Sequence, residues 1–194
     1  MPRALTEQEK RRHRQKLLEK GQAVVLSQGI RRVSVDEIAK AAGMAKGSFY
    51  QHFDSKEQYL FALINDIHGK AFAQAERIIL NENDLRTNIR DFLVTLFNVP
   101  EMVFLMKNFH DISELLESSP NREPLCAKQT EADMFKKLLL LAGTDTQKVS
   151  PGVVYNYIHA LYLMMGSDLM LSEALPETFE LMKDGLIDYI FGGI

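Results

Sequence analysis

The sequence has little of what a disulfide-bonded, flexible or membrane-spanning protein requires. Cys126 is its only cysteine, so an internal disulfide is excluded and a reducing compartment is favoured. An inert thiol is the favoured interpretation over a redox sensor, because only Lys128 lies near enough in sequence to lower the thiol pKa. We find neither an 18-residue apolar run free of polar groups nor a signal peptide, and therefore expect a cytoplasmic protein without a membrane span.

Signatures of the common enzyme classes are also missing. The sequence contains no G-x-S-x-G, P-loop, G-x-G-x-x-G or H-E-x-x-H motif. Its five histidines, at positions 13, 52, 68, 110 and 159, are never three or four residues apart, so they do not predict a metal site on a helix. We expect no catalytic site, no metal and no cofactor.

Composition and charge favour an all-α chain with two different parts. Hydrophobic residues make up 46% of the sequence, glycine and proline are sparse, and alternating β-branched runs are missing. Residues 1–60 hold 12 Lys and Arg against 7 Asp and Glu, whereas residues 61–194 hold 11 against 19. A basic N-terminal region joined to an acidic body is suited to phosphate binding, although a solvated surface explains the basic run from Lys10 to Lys16 equally well.

One segment in the N-terminal third carries the most specific pattern of the chain. A capping-box pair, Ser34 and Glu37, starts a short helix that Gly43 can end in the left-handed conformation. Phe49 and Phe53, four residues apart, predict the inward side of a second helix, which leaves polar, cationic and aromatic residues outside. This pattern is typical of a helix-turn-helix, whose second helix enters the major groove of DNA. A helical hairpin in an ordinary bundle is the alternative.

The stretch from Leu17 to Leu63 resembles the N-terminal domain of the TetR family of bacterial transcriptional regulators. The residues that carry the resemblance are Gly29, the Ser34 to Gly43 helix, GMAKGSFYQHF at 43–53 and SKEQYLFAL at 55–63. It covers roughly the first third of the chain. Beyond it, only length and helical character are similar to the family.

The resemblance implies an all-α protein of two domains. We expect a three-helix helix-turn-helix DNA-binding domain in residues 1–55 and a helical effector-binding and dimerisation domain in residues 56–194, with about nine helices in all. The expected function is that of a repressor, which a small-molecule effector releases from a palindromic operator in double-stranded DNA. A helical protein-interaction module, or a small-molecule-binding dimer without specific DNA binding, is the alternative.

Candidate DNA contacts lie on the turn, on the outer side of the second helix and at two flanking helix starts. Gln51 has the amide geometry for bidentate contact with adenine, and Gly47 lets the DNA backbone approach closely, unless it is only a turn or packing glycine. Ser34 and Lys56 would bind phosphates on either side, and each candidate taken singly could be an ordinary surface residue. The full set is Ser34, Ala45, Lys46, Gly47, Ser48, Tyr50, Gln51, His52 and Lys56.

The last two predicted helices are unusually apolar. We place one from Pro151 to Leu171 and the other from Pro176 to Phe191. Between Val149 and Ser167 there is no Lys, Arg, Asp or Glu, and a helix that is apolar all round must be covered on every side. The last helix carries one apolar stripe of Phe179, Met182, Leu186 and Tyr189 and another of Ile187, Ile190 and Phe191. This surplus predicts a homodimer through both helices, unless one chain buries all of it.

An effector pocket is implied by the resemblance, and the middle helices offer candidates for it. They include one Met- and Phe-rich helical stretch from Glu101 to Glu117. Apolar walls with a few polar tips can enclose and orient a small ligand. The candidates are Phe97, Met102, Phe104, Met106, Phe109, His110, Tyr155, His159 and Tyr162. Core packing is the stronger explanation for each one taken singly, and the sequence does not identify the effector.

Overall fold

The computed structural model describes residues 5–81, 84–118 and 128–192. Within these ranges all regular secondary structure is helical, which confirms the expected fold class. The ten helices are α1 (Glu7–Gln28), α2 (Val35–Ala41), α3 (Lys46–Phe49), α4 (Lys56–Ile79), α5 (Leu85–Asn98), α6 (Pro100–Lys107), α7 (Phe109–Ser118), α8 (Lys128–Leu141), α9 (Pro151–Met165) and α10 (Leu175–Gly192). None of these helices combines the length and the apolarity that a membrane span requires. Cys126 lies outside the described residues.

The chain groups into two compact units. Unit 1 comprises Met1–Asp66 and His110–Glu123, and unit 2 comprises Ile67–Phe109 and Pro124–Ile194. Helices α1 to α3, the start of α4 and nearly all of α7 therefore belong to unit 1. The domain boundary expected between residues 55 and 56 stays a prediction.

Local sequence signals explain how the helices of unit 1 begin and end. Thr6 and Glu9 cap α1, and Ser34 and Glu37 cap α2, each with both reciprocal hydrogen bonds of a capping box. Gly43 follows α2 with a φ of 66°, which side chains other than glycine rarely adopt. The capping boxes and the glycine turn are therefore confirmed.

Three aromatic rings form the core of unit 1 behind α3. Phe49, Phe53 and Tyr59 are almost fully buried, and their ring centroids lie 5.2–5.6 Å apart. The Tyr59 hydroxyl donates a hydrogen bond to the Leu17 carbonyl (3.2 Å). On α1, Gly21 makes room for it, because a Cβ there would lie 2.2 Å from the Tyr59 hydroxyl oxygen. The inward position of both phenylalanines is confirmed, and the cluster fixes which side of α3 faces out.

The helix predicted from Glu101 to Glu117 is two helices, so that expectation is wrong. Asn108 separates α6 from α7 with a φ of −107° and a ψ of 17°, outside helical geometry. Its side-chain amide donates to the Phe104 carbonyl (2.8 Å), and its backbone N–H also points to that carbonyl. Asn108 thus satisfies the end of α6 locally, as short amide side chains do at helix ends.

The predicted end of α9 at Leu171 is also wrong, because α9 ends at Met165. Gly166 caps it, with its N–H directed at the carbonyls of Met164 and Tyr162. A Cβ at Gly166 would lie 3.2 Å from the Met106 carbonyl oxygen, so the backbones approach closely there. Turns rather than helix follow between α9 and α10.

Candidate functional site

α3 presents a polar and cationic side opposite its buried phenylalanines. It is a short helix preceded by Ala45, and turn residues continue from Tyr50 to His52. The exposed residues are Ala45, Lys46, Gly47, Tyr50 and Gln51, and the half-buried ones are Ser48 and His52. These seven residues, which we call the reading surface, bring together all the candidate DNA contacts that the sequence places around α3.

Gly47 has no evident structural reason to be glycine. Its φ is not positive, unlike that of Gly43, and no described atom lies within 4 Å of a Cβ built on it. Gly21, in contrast, is required by packing, because a Cβ there would collide with Tyr59. A missing side chain at an exposed position leaves room for something outside the chain to approach the backbone.

The two candidate phosphate contacts at the flanking helix starts differ. Ser34 is exposed, and its hydroxyl takes part in the α2 capping box. The Lys56 ammonium instead donates to the carbonyls of Ile30 (3.4 Å), Arg31 (3.2 Å) and Val33 (3.2 Å). An ammonium has three donors, so in this arrangement Lys56 holds the α1–α2 connection. A phosphate would have to replace one of these carbonyls.

Arg31 joins this same connection to α7 within unit 1. Its Nε lies 2.8 Å from Asp111 Oδ1, and one guanidinium nitrogen lies 2.6 Å from Glu114 Oε2. The hydrogen bond that Arg31 donates to Asp111 and the charges of both carboxylates raise the pKa of Arg31. His110 belongs to this cluster, with Nε2 3.2 Å from Glu114 Oε1 and a side chain that is 83% exposed. The structure therefore places His110 on an exposed surface of unit 1.

Two α1 side chains lie beside the end of the reading surface. The rings of His13 and His52 meet edge to face with centroids 5.7 Å apart. The Arg14 guanidinium lies 4.7 Å from the centre of the Phe53 ring. Burial, and then the charges of His13, Arg14 and Lys10, lower the pKa of His52 below its ordinary value. The sequence did not single out these α1 residues, since the contacts join positions about 40 residues apart.

Unit 2 contains a small, partly open cavity with largely aromatic walls. Three candidate pocket residues, Met102, His159 and Tyr162, line it. The lining residues that sequence reasoning missed are His68, Ala71, Phe72, Phe92, Leu96 and Phe135. Among the described lining residues none carries a carboxylate, ammonium or guanidinium group. The spacing of His68 and Phe72 on α4 was the available signal, because residues four apart share one side of a helix.

The other pocket candidates lie behind or away from this wall. The Phe97 ring is 4.9 Å from that of Tyr162, and the Tyr155 ring is 4.0 Å from that of His159, so both support lining residues. Phe104 is half-buried and Met106 is buried. The side chain of Phe109 lies outside the described part of the chain.

The outer side of α9 and α10 keeps apolar residues exposed. Val153 and Leu163 of α9 are 43% and 53% exposed, and Leu181 of α10 is 68% exposed. Asn156 and Ala160 lie on the same exposed stripe as the two α9 residues. Of the apolar α10 residues counted as surplus, Leu186, Ile187 and Ile190 are buried within the single chain. They are therefore unavailable to a partner, and a smaller apolar surface remains.

The arrangement of α2 and α3 is that of a helix-turn-helix, and comparison with known proteins gives the family that this segment matches. Residues 17–63 match the family model of bacterial regulatory proteins, tetR family. This match assigns residues 17–63 to the N-terminal domain of that family, which confirms the resemblance seen in the sequence.

Individual relatives agree with this assignment. The chain is 31% identical over 115 residues to the uncharacterized HTH-type transcriptional regulator YuxN of Bacillus subtilis (strain 168), a match that covers 58% of this chain and 38% of that protein. It is 30% identical over 82 residues to the HTH-type transcriptional repressor KstR2 of Rhodococcus jostii (strain RHA1), covering 42% of this chain and 40% of that protein. The matches thus span about two fifths of these relatives' lengths.

A solved structure extends the similarity of fold to almost the whole chain. AibR in complex with isovaleryl coenzyme A and operator DNA superposes with a TM-score of 0.53 at 19% identity, covering 94% of this chain and 100% of that one. At this identity the similarity concerns the fold alone.

Proposed function

We propose that the chain is a transcriptional regulator that binds duplex DNA through the reading surface. Gly47 carries this proposal. It is exposed, neither backbone conformation nor packing among the described residues requires glycine there, and it lies between the exposed Lys46 and the half-buried Ser48. A sugar–phosphate backbone that approaches α3 closely would supply the missing reason. Lys46 and Gln51 would then reach base edges, and Tyr50 and His52 would touch phosphates.

The proposed regulator acts as a homodimer through α9 and α10. The exposed apolar residues Val153, Leu163 and Leu181 support this arrangement, because exposed apolar surface of this kind favours association. Two reading surfaces related by a two-fold axis and about 34–36 Å apart would enter successive major grooves and demand a near-palindromic operator. A regulator of this kind works in the cytoplasm.

In this proposal the cavity of unit 2 binds the effector. Its aromatic walls and its polar groups, His68, His159 and Tyr162, suit a neutral, largely apolar molecule with one or two hydrogen-bonding groups. A repressor results if the effector prefers the geometry that does not bind the operator, and a coupling of about 1–3 kcal/mol is sufficient. AibR, whose structure holds both a coenzyme A ester and operator DNA, is an example of a protein with this fold that binds both kinds of partner.

The experiment begins with selection of a duplex from a random-sequence library by the wild-type chain. Affinity for that duplex is then measured against salt concentration for the wild type, Gly47→Val and Gly69→Val. Gly69 is the matched control, because it is exposed, lies in a helix and also has no described atom within 4 Å of a built Cβ. We expect a steep fall of affinity with salt, as counterion release requires, and a large loss in G47V alone.

Two results would contradict the proposal. Failure to enrich any duplex, or an affinity independent of salt, would favour a helical protein-interaction module. Equal DNA affinities of G47V and G69V would show that α3 does not approach DNA closely.

A further inference from the structure

α1 adds a second cationic surface at the end of the reading surface. We call His13, Arg14 and His52 together the α1 shelf. We propose that the α1 shelf binds a backbone phosphate of the same duplex that the reading surface contacts, with Arg14 as the principal contact. The inference rests on the proposed function and extends the DNA interface from the helix-turn-helix to the first helix of the chain.

Arg14 is held in place without being neutralised. Its guanidinium lies 4.7 Å from the centre of the buried Phe53 ring, and Arg14 is exposed to solvent. Within the described part of the chain Arg14 makes no ion pair, in contrast to Arg31, which meets two carboxylates. A planar guanidinium with unused donors is well suited to a phosphate.

The two histidines connect Arg14 with the reading surface. Their rings lie 5.7 Å apart, with His13 next to Arg14 on α1. His52 directly follows Gln51 of the reading surface. A phosphate beside these rings would therefore belong to a duplex already in contact with α3.

The carboxylates near the start of α1 have partners other than Arg14. Glu7 accepts a hydrogen bond from the Lys10 ammonium (2.8 Å), and Glu9 closes the α1 capping box with Thr6 and lies close enough to His13 for their charges to interact. Lys10 adds little because of its pairing with Glu7, so Arg14 is the uncompensated positive charge of this surface.

The shape of duplex DNA explains why a phosphate should be found there. A helix in the major groove, which is about 12 Å wide, has a sugar–phosphate strand on each side. Ser34 at the start of α2 can contact a phosphate of one DNA strand, while the Lys56 ammonium is occupied by three backbone carbonyls. The α1 shelf supplies a cation at the other end of the reading surface.

The test compares Arg14→Met with Arg12→Met on the selected duplex. Met keeps an unbranched apolar stem over the Phe53 ring and removes the charge. Arg12 is exposed and two residues away, on the opposite side of α1, and undergoes the same change. For a dimer with two lost phosphate contacts, R14M should lower the magnitude of the slope of log affinity against log salt by about 1.8, since each contact contributes about 0.9. R12M should keep the wild-type slope, and Arg14→Lys should keep most of it.

A second measurement uses duplexes in which single phosphates are replaced by neutral methylphosphonates. One replacement in each half-site should weaken binding of the wild type and leave R14M unaffected. Arg14→Gln is the second charge-removing variant if R14M does not melt near the wild-type temperature.

Equal slopes for R14M and R12M would overturn the inference while leaving the proposed function intact. So would loss of affinity in R14M without a change of slope, because that result would mean that Arg14 acts only by packing on Phe53. A wild-type chain that enriches no duplex would overturn both the inference and the proposed function.

Discussion

The two units of this chain turn opposite kinds of surface outward. In unit 1, aromatic rings fill the core while Lys46, Gly47 and Gln51 face solvent. In unit 2, aromatic rings line a cavity and apolar side chains such as Leu163 and Leu181 remain exposed. Residues 1–60, all in unit 1, carry a basic excess, whereas residues 61–194 carry an acidic excess. The exposed surface of unit 1 is suited to a polyanion. The apolar surfaces of unit 2 are suited to an apolar ligand or to a second copy of the chain.

The largest effect is expected where neighbouring residues of α3 face opposite ways. Phe49→Ala should lower the free energy of unfolding of unit 1 by about 3–5 kcal/mol, because it empties the space of a fully buried ring. Tyr50→Ala, at a side chain that is 49% exposed, should cost less than about 1 kcal/mol and weaken DNA binding instead. Urea unfolding of both variants measures the loss of stability, and their affinities for DNA measure the loss of binding. Equal losses of stability in F49A and Y50A would mean that α3 packs on unit 1 through a different side.

The next effect concerns base reading by unit 1. Gln51→Ala should cost about 1–3 kcal/mol of discrimination at one base position of each half-site, because a bidentate amide contact is lost. Its thermal stability should remain near that of the wild type, since Gln51 is exposed. Gln74→Ala, an exposed position on α4, is the control. Affinities for duplexes varied one base pair at a time give the measurement, and an unchanged base preference in Q51A would remove Gln51 from the readout.

A third prediction concerns the apolar outer surface of unit 2. Leu181→Asp should dissociate the proposed dimer, because burial of a leucine contributes about 1.5–3 kcal/mol and a buried carboxylate is unfavourable. Leu80→Asp is the matched control, since Leu80 is 64% exposed and Leu181 is 68% exposed. Sedimentation measures the masses of both variants. A dimer that persists in L181D and separates in L80D would place the interface elsewhere.

The smallest effect is a pH dependence of unit 1 that arises from His52. Its pKa is lowered in the folded chain, chiefly by burial, so the unfolded chain binds the proton more readily. This contribution to the free energy of unfolding is complete above the unfolded pKa of about 6.5 and decreases as the pH falls toward the folded pKa. Urea unfolding between pH 7.5 and pH 5 should show a smaller decrease in His52→Gln than in the wild type. Parallel curves of unfolding free energy against pH for the wild type and H52Q would contradict this role of His52.

The sequence was informative where its signals are local. The Ser34 and Glu37 cap, the turn at Gly43 and the four-residue spacing of Phe49 and Phe53 each depend on residues close together in the chain. They therefore predicted both the helix-turn-helix of unit 1 and the side of α3 that faces outward.

Features that depend on distant residues could not be predicted in this way. Lys56 contacts carbonyls 23–26 positions away, and α9 ends where Gly166 meets the Met106 backbone. The cavity wall includes His68 and Phe72 of α4, because packing brings them to His159. The mixed polar and apolar sequence after Gly166 is compatible with helix or turn, and tertiary contacts decide between them.

Chemical interference mapping on the selected duplex tests the central claim most directly. Methylation of guanine N7 marks the major groove, into which α3 inserts in the proposed complex. We expect two groups of interfering guanines, related by a two-fold axis, with centres about 10 base pairs apart. Interference restricted to the minor groove, or to one isolated site, would contradict the account.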